Sequence, residues 1–171
     1  MGEMKTIEDL LADEIKDLYS AEKQLTKAIP KMAKGSSDET LRAAFTAHLD
    51  ETRAQVDRLE QVATILGIRA TGKKCVGMEG CIKEGAEALE EKGDEKLLDL
   101  GLIGAGARVE HYEMAGYMTA ISLAQRLSQG DVVTLLKASL AEEQAADKKL
   151  RTIASGLLKR APVVQTARGR A

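Results

Sequence analysis

Aromatic residues are scarce in this 171-residue chain: it has no tryptophan, one phenylalanine (Phe45) and three tyrosines (Tyr19, Tyr112, Tyr117). Prolines number two, Pro30 and Pro162. Nowhere do β-branched or aromatic residues alternate with polar ones over the length of a strand, which excludes a sheet protein. The two cysteines, Cys75 and Cys81, are too few for a disulfide framework and too far apart for a CxxC redox pair, so they read as ordinary thiols on a short helix. No segment approaches the roughly 18 consecutive apolar residues that span a bilayer. No charged-then-apolar leader opens the sequence, and the expected location is cytoplasmic. There is no glycine-rich phosphate loop and no Ser, His, Asp arrangement for nucleophilic catalysis, so no catalytic residue is assigned.

Charge of either sign is nearly balanced, with 25 Lys and Arg against 27 Asp and Glu. The balance is uneven along the chain, because Gly156 to Ala171 holds Lys159, Arg160, Arg168 and Arg170 and no acid. The preceding residues therefore carry 21 basic and 27 acidic groups, a net of −6. Such a body repels phosphate backbones, and neither nucleic acid nor membrane is expected as a partner. With 44% apolar and 30% charged residues the chain can bury a core and solvate its surface.

Apolar residues recur at steps of three and four, the period of helices with one buried face. The first helix is expected over about 6–34 on Ile7, Leu11, Leu18, Leu25, Ile29 and Met32, with a kink or break at Pro30. Ser36 and Glu39 read as a capping box opening a second helix on Leu41, Phe45, Leu59, Val62 and Leu66, which stops at Gly67. A connector over 68–94 holds one short helix near 78–91. The third long helix is expected over about 95–127 on Leu100, Ile103, Ala107, Met114, Met118 and Ile121. After a turn and cap at Gly130 and Asp131, the fourth continues to about 158 on Val133, Leu136, Leu140, Leu150 and Ile153. Two helical hairpins joined by a long connector fit an all-α four-helix bundle with one long crossover containing a short fifth helix. The bundle is expected to occupy 1–158 and a flexible basic tail 159–171.

Each stripe is interrupted near its middle by acids. Glu14 and Glu22 fall on the inward face of the first helix, with Asp17 at its edge. His48, Glu51 and Gln55 do so on the second, Glu110 on the third with Glu113 at its flank, and Glu143 and Asp147 on the fourth. Counted from the hairpin turns, Glu22, Glu51, Glu113 and Glu143 all lie about 14 to 16 residues down their helices, and at roughly 1.5 Å per residue these acids share one depth. A single such acid would be a solvated stripe edge or a salt-bridge partner, as Glu143 could be for Lys148. Acids turned inward on all four helices at one depth instead need protons, cationic partners or a metal, because burying several anions together is prohibitive. Oxygen donors with an occasional imidazole suit iron or manganese. The candidate metal ligands are Asp17, Glu22, His48, Glu51, Glu110, Glu113, Glu143 and Asp147, for one or two ions.

The segments DLYSAEKQL, AFTAHLDETRAQVDRLE, KCVGMEGCIKEG, VEHYEMAGY and LLKASLAEEQAADKKL together resemble the bacterial YciE/YciF stress-protein family over about residues 4 to 155. The resemblance implies a ferritin-like fold akin to rubrerythrin, a homodimer, a stress-related role and a ferroxidase label; on the metal-binding reading, Tyr19 or Tyr112 is expected close to the metals. The family pattern often has His where Gln55 stands, and rubrerythrin-like sites have His where Asp147 stands. Two functions are therefore expected as rivals: a di-iron or manganese carboxylate protein oxidising Fe(II) with O₂ or peroxide, or a non-catalytic dimeric helical protein with a vestigial site. Leu10, Leu102 and Val109, outside the main stripes, would supply an external seam for the dimer.

Overall fold

A computed structural model describes residues 4–163. Five helices follow in order: α1 (Ile7–Gly35), α2 (Glu39–Ile65), the short α3 (Val76–Glu90), α4 (Glu95–Arg126) and α5 (Gly130–Leu158). The long helices form two hairpins, α1–α2 and α4–α5; they dock with α1 beside α4 and α2 beside α5, and α3 lies across the outside of α1 and α4. This is the expected bundle with a long crossover. Residues 164–171 of the expected tail lie outside the described residues.

Local chemistry sets the helix ends. Thr6 and Asp9 form a reciprocal capping box at the start of α1, where Asp9 N donates to Thr6 Oγ1 at 3.1 Å and Thr6 N to Asp9 Oδ2 at 3.0 Å. The expected break at Pro30 is absent, and α1 stays helical to Gly35. Pro30 is exposed and removes one amide donor, while the buried Ile29 and Met32 beside it hold the last turn in the core. The expected Ser36 capping box is also corrected. Ser36 closes α1 by donating its hydroxyl to Met32 O at 2.8 Å, and Asp38 caps α2 by accepting from Thr40 N and Leu41 N. Gly67, at φ +66°, ends α2 as expected, with Ile68 N donating to Ala63 O and Gly67 N to Thr64 O. The same pair of bonds ends α4, but there the left-handed residue is Ser128, at φ 59°. The cap expected from Gly130 and Asp131 is not formed; α5 starts after Gln129 with no side-chain cap.

Two apolar clusters fill the bundle. One gathers Leu25, Ile29, Leu41, Phe45, Leu102, Ile103 and Leu150 near the α1–α2 turn, and the other Leu11, Ile15, Leu18, Leu59, Val62, Ile121 and Leu136 toward the opposite end. Glu22, His48, Glu110, Glu113 and Glu143 fall between them in sequence on every long helix, and all are buried. A polar layer thus interrupts the hydrophobic core.

Helix α4 is rotated from the phase expected. Met118 is half exposed and Met114 only partly buried, whereas Glu113, Tyr117 and Ala120 face inward. Leu102 and Val109 form no external seam, because α3 covers that side and both are buried in the first apolar cluster; Leu10 is partly buried.

Candidate metal centre

The site takes one or more donors from each long helix. Glu22 comes from α1, His48 and Gln55 from α2, Glu110 and Glu113 from α4, one helical turn apart, and Glu143 from α5. His48, Glu110, Glu113 and Glu143 each place a ligand-type atom so that all four lie within 4.8 Å of one another. His48 Nε2 is 3.3 Å from Glu110 Oε1 and 3.7 Å from Glu143 Oε2. Its Nδ1 meets Glu51 Oε2 at 3.1 Å, at the rim of the layer, where the Glu51 side chain is 44% exposed. This contact places the Nδ1 proton toward Glu51 and turns Nε2 inward, toward two carboxylates that carry no proton to donate when ionised.

Many of these groups have no partner. His48 Nε2, Glu22 Oε2, Glu110 Oε2, both oxygens of Glu113, Glu143 Oε2 and Gln55 Oε1 are buried without a hydrogen bond. Each such atom costs about 1–3 kcal/mol relative to a satisfied one. Burial, then the charge of Glu143, holds the Glu22 carboxyl well above the ordinary range; burial and the adjoining Glu143 do the same to Glu110, and burial with Glu22 to Glu113. Burial pulls the His48 imidazole down, but Glu51 and Glu143 outweigh it and raise it. The bond from His48 holds Glu51 below the usual range. Metal-free, the layer must hold protons. A divalent cation would instead satisfy the imidazole and the inward carboxylate oxygens at once, so the donor set fits a metal that accepts mixed O and N ligands.

Neighbouring side chains brace these donors. The Tyr117 hydroxyl donates to Glu22, and Gln55 Nε2 donates to both Glu143 and Glu142, the latter at 3.1 Å. Arg58 in turn grips Glu142 at 2.7 Å and Ser139 at 3.0 Å. Gln55 thus occupies the inward position on α2 as an amide that positions Glu143.

The remaining expected ligands lie elsewhere. Asp17 is not brought to the group: it turns toward the crossover, where Cys75 Sγ lies at 2.9 Å, Tyr112 Oη at 3.0 Å and Lys73 Nζ at 3.3 Å. Glu14 is partly buried, close enough to Lys73, Asp13 and Asp17 to feel their charge. Asp147 accepts from Arg151 Nε at 2.8 Å through Oδ2, while its Oδ1 is buried without a hydrogen bond, 3.3 Å from His111 Nε2, and its charge reaches Glu110. Tyr19 donates to Glu60 on the surface. Tyr117, which sequence reasoning passed over, is the tyrosine that enters the layer; its spacing of four from Glu113 was the available signal.

A family model described as Domain of unknown function (DUF892) matches residues 6–162. The chain belongs to that family. Within it, Protein YciF of Escherichia coli K12 is 45% identical over 152 residues, 88% of this chain and 92% of YciF. The crystal structure of that E. coli stress protein superposes with a TM-score of 0.89 at 43% identity, covering 92% of this chain and all of the other. YcfI of Rhodopseudomonas palustris gives a TM-score of 0.85 at 41% identity, over 88% of this chain and 96% of YcfI. A two-domain Anabaena variabilis protein with DJ-1-like and ferritin-like domains matches with a TM-score of 0.61 at 12% identity, over 98% of this chain and 42% of that one, which concerns the fold alone. The DUF892 chain is thus a ferritin-like helical bundle with a buried His and Glu group compatible with metal binding.

Proposed function

We propose that the polar layer binds one or two transition-metal ions, iron or manganese, and that the protein acts on Fe(II) with O₂ or peroxide as oxidant. The observation that carries this reading is the convergence of buried, unpartnered donors from His48, Glu110, Glu113 and Glu143. Iron held by carboxylates and one imidazole supplies one-electron redox chemistry toward such oxidants. The chain's own part is orientation: Glu51 sets the His48 ring, Tyr117 holds Glu22, and Gln55 with Arg58 fixes Glu142 and Glu143. Glu22 and Glu51 adjoin the four-residue group and would complete a second position. Asp17 is engaged at the crossover, whereas Asp147 keeps one buried oxygen without a hydrogen bond beside the layer.

Metal analysis of protein purified without chelator, followed by thermal melting with Mn(II) or anaerobic Fe(II), tests the reading. We expect bound metal and a raised melting temperature, since a ligand that binds only the folded state stabilises it by mass action. Replacing Glu113 and Glu143 by Gln should abolish the rise and leave the metal-free protein as stable or more so, by relieving buried repulsion. A wild type indifferent to metal, with a double variant that melts much earlier, would leave the acids a purely structural role. In that case the rival reading of a non-catalytic protein gains.

A stress-related role belongs to the same proposal by similarity to the E. coli stress protein YciF, as do a homodimer, which the family resemblance implies, and a cytoplasmic location. Sedimentation showing a monomer at micromolar concentration would remove the dimer.

A further inference from the structure

The polar layer is sealed on most sides but not between α2 and α5. A cleft of about 80 Å³ opens there, walled by Ala44, Ala47, Ala145 and Ala146, with His48 and Glu110 lining it and Glu51 beside them. The larger cavities beneath α3, near the α2 C-terminus and beside Asp17 are lined by none of the grouped donors. His48 Nε2 and Glu110 Oε2, both buried and without a hydrogen-bond partner, belong to residues that line this opening.

We propose that this cleft is the port by which a divalent cation reaches the layer, and that Glu51 is the carboxylate that meets it first. The inference rests on the metal-binding reading above. The cleft has room for a small cluster of waters. A cation that gives up waters on the way in needs an oxygen donor in their place, and a carboxylate supplies one. Glu51 is placed for that exchange: its side chain is 44% exposed, against 7% for His48 and 3% for Glu110. Its contact with His48 Nδ1 then links the solvent-facing oxygen to the first inward donor. The alanine walls matter because a longer side chain at those positions would lie over the mouth. Lys149 also lines the cleft, and its charge helps to keep the Glu51 carboxyl low.

Ala145 and Ala47 are exposed and offer no ligand atom themselves, so a large side chain there tests access while the donors stay in place. The test uses Co(II) mixed rapidly with the full chain, read by quenching of tyrosine emission, which no tryptophan masks. Ala145→Phe and Ala47→Phe should each slow quenching by at least about tenfold while leaving its final amplitude and the Co(II)-induced melting shift unchanged; Ser122→Phe, on the outer face of α4, should match the wild type within about twofold. Wild-type rates in both mouth variants would overturn the port and leave the metal reading standing. A lost end point in both would do the same, because a plug affecting access alone preserves equilibrium. If the wild type gives neither quenching nor a melting shift, the metal reading fails and the port falls with it.

Discussion

The Tyr117 hydroxyl donates to Glu22 Oε1 at 2.6 Å, tying α4 to α1 through two fully buried side chains. Tyr117→Phe keeps the ring and its packing but strips Glu22 of this donor while its other oxygen already lacks one. We expect a loss of about 1–2 kcal/mol in the metal-free protein by chemical denaturation. A variant as stable as wild type would mean that Glu22 is satisfied by another group.

The carboxyls of Glu22, Glu110 and Glu113 bind protons more tightly folded than unfolded, first through burial. The folded state therefore holds more protons above the ordinary carboxyl value of 4.5, and stability drains away as pH rises from there toward the raised folded values. Metal-free protein should melt earlier at about pH 8 than at about pH 5, and Mn(II) should stabilise more at the higher pH, where it displaces fewer protons. Melting curves at both pH values with and without Mn(II) decide it. A metal-free melting temperature that climbs with pH would contradict the raised carboxyls.

Asp99, buried on α4, accepts from Ser37 N at 2.9 Å and Asp38 N at 2.7 Å, and so clamps the α1–α2 turn from the other hairpin. Asp99→Ala should cost about 2–3 kcal/mol, somewhat offset because Ser37 is exposed and water can reach its amide. Asp99→Asn, which keeps one acceptor, should fall between. Equal stability of all three proteins would show that the clamp contributes nothing.

Ser128 occupies the left-handed position that ends α4, where glycine has no Cβ to strain. Ser128→Gly should raise stability by up to about 1 kcal/mol in urea unfolding, the gain from relieving αL strain exceeding the added chain entropy. A clear loss would indicate that the serine hydroxyl makes a contact worth more than the strain.

The bundle was legible because four long segments carry apolar residues at helical period, and the layer because acids interrupt all four stripes, with Glu22, Glu51, Glu113 and Glu143 at one depth. Phase was the weaker part. Helix α4 packs against α1, α3 and α5, so its buried arc is wide and one stripe cannot describe it; Met114 and Met118 were placed inward and Glu113 only at the flank. The contacts of Asp17 with Cys75 and Tyr112, and of Asp147 with His111, gave no signal because the crossover and helix pairing bring those partners near. Asp99 gave no signal at all, since its role depends on a turn some sixty residues away.

The grouped donors divide between the hairpins: Glu22 and His48 belong to the first, Glu110, Glu113 and Glu143 to the second. Each hairpin is held by contacts local in sequence and closes early, whereas α1–α4 and α2–α5 pairings close long loops and come later. The layer is thus absent from any half-folded chain and comes into being only when the two hairpins meet. A nascent chain that has made only α1 and α2 exposes isolated carboxylates that water can solvate, and their crowding begins at the last docking step.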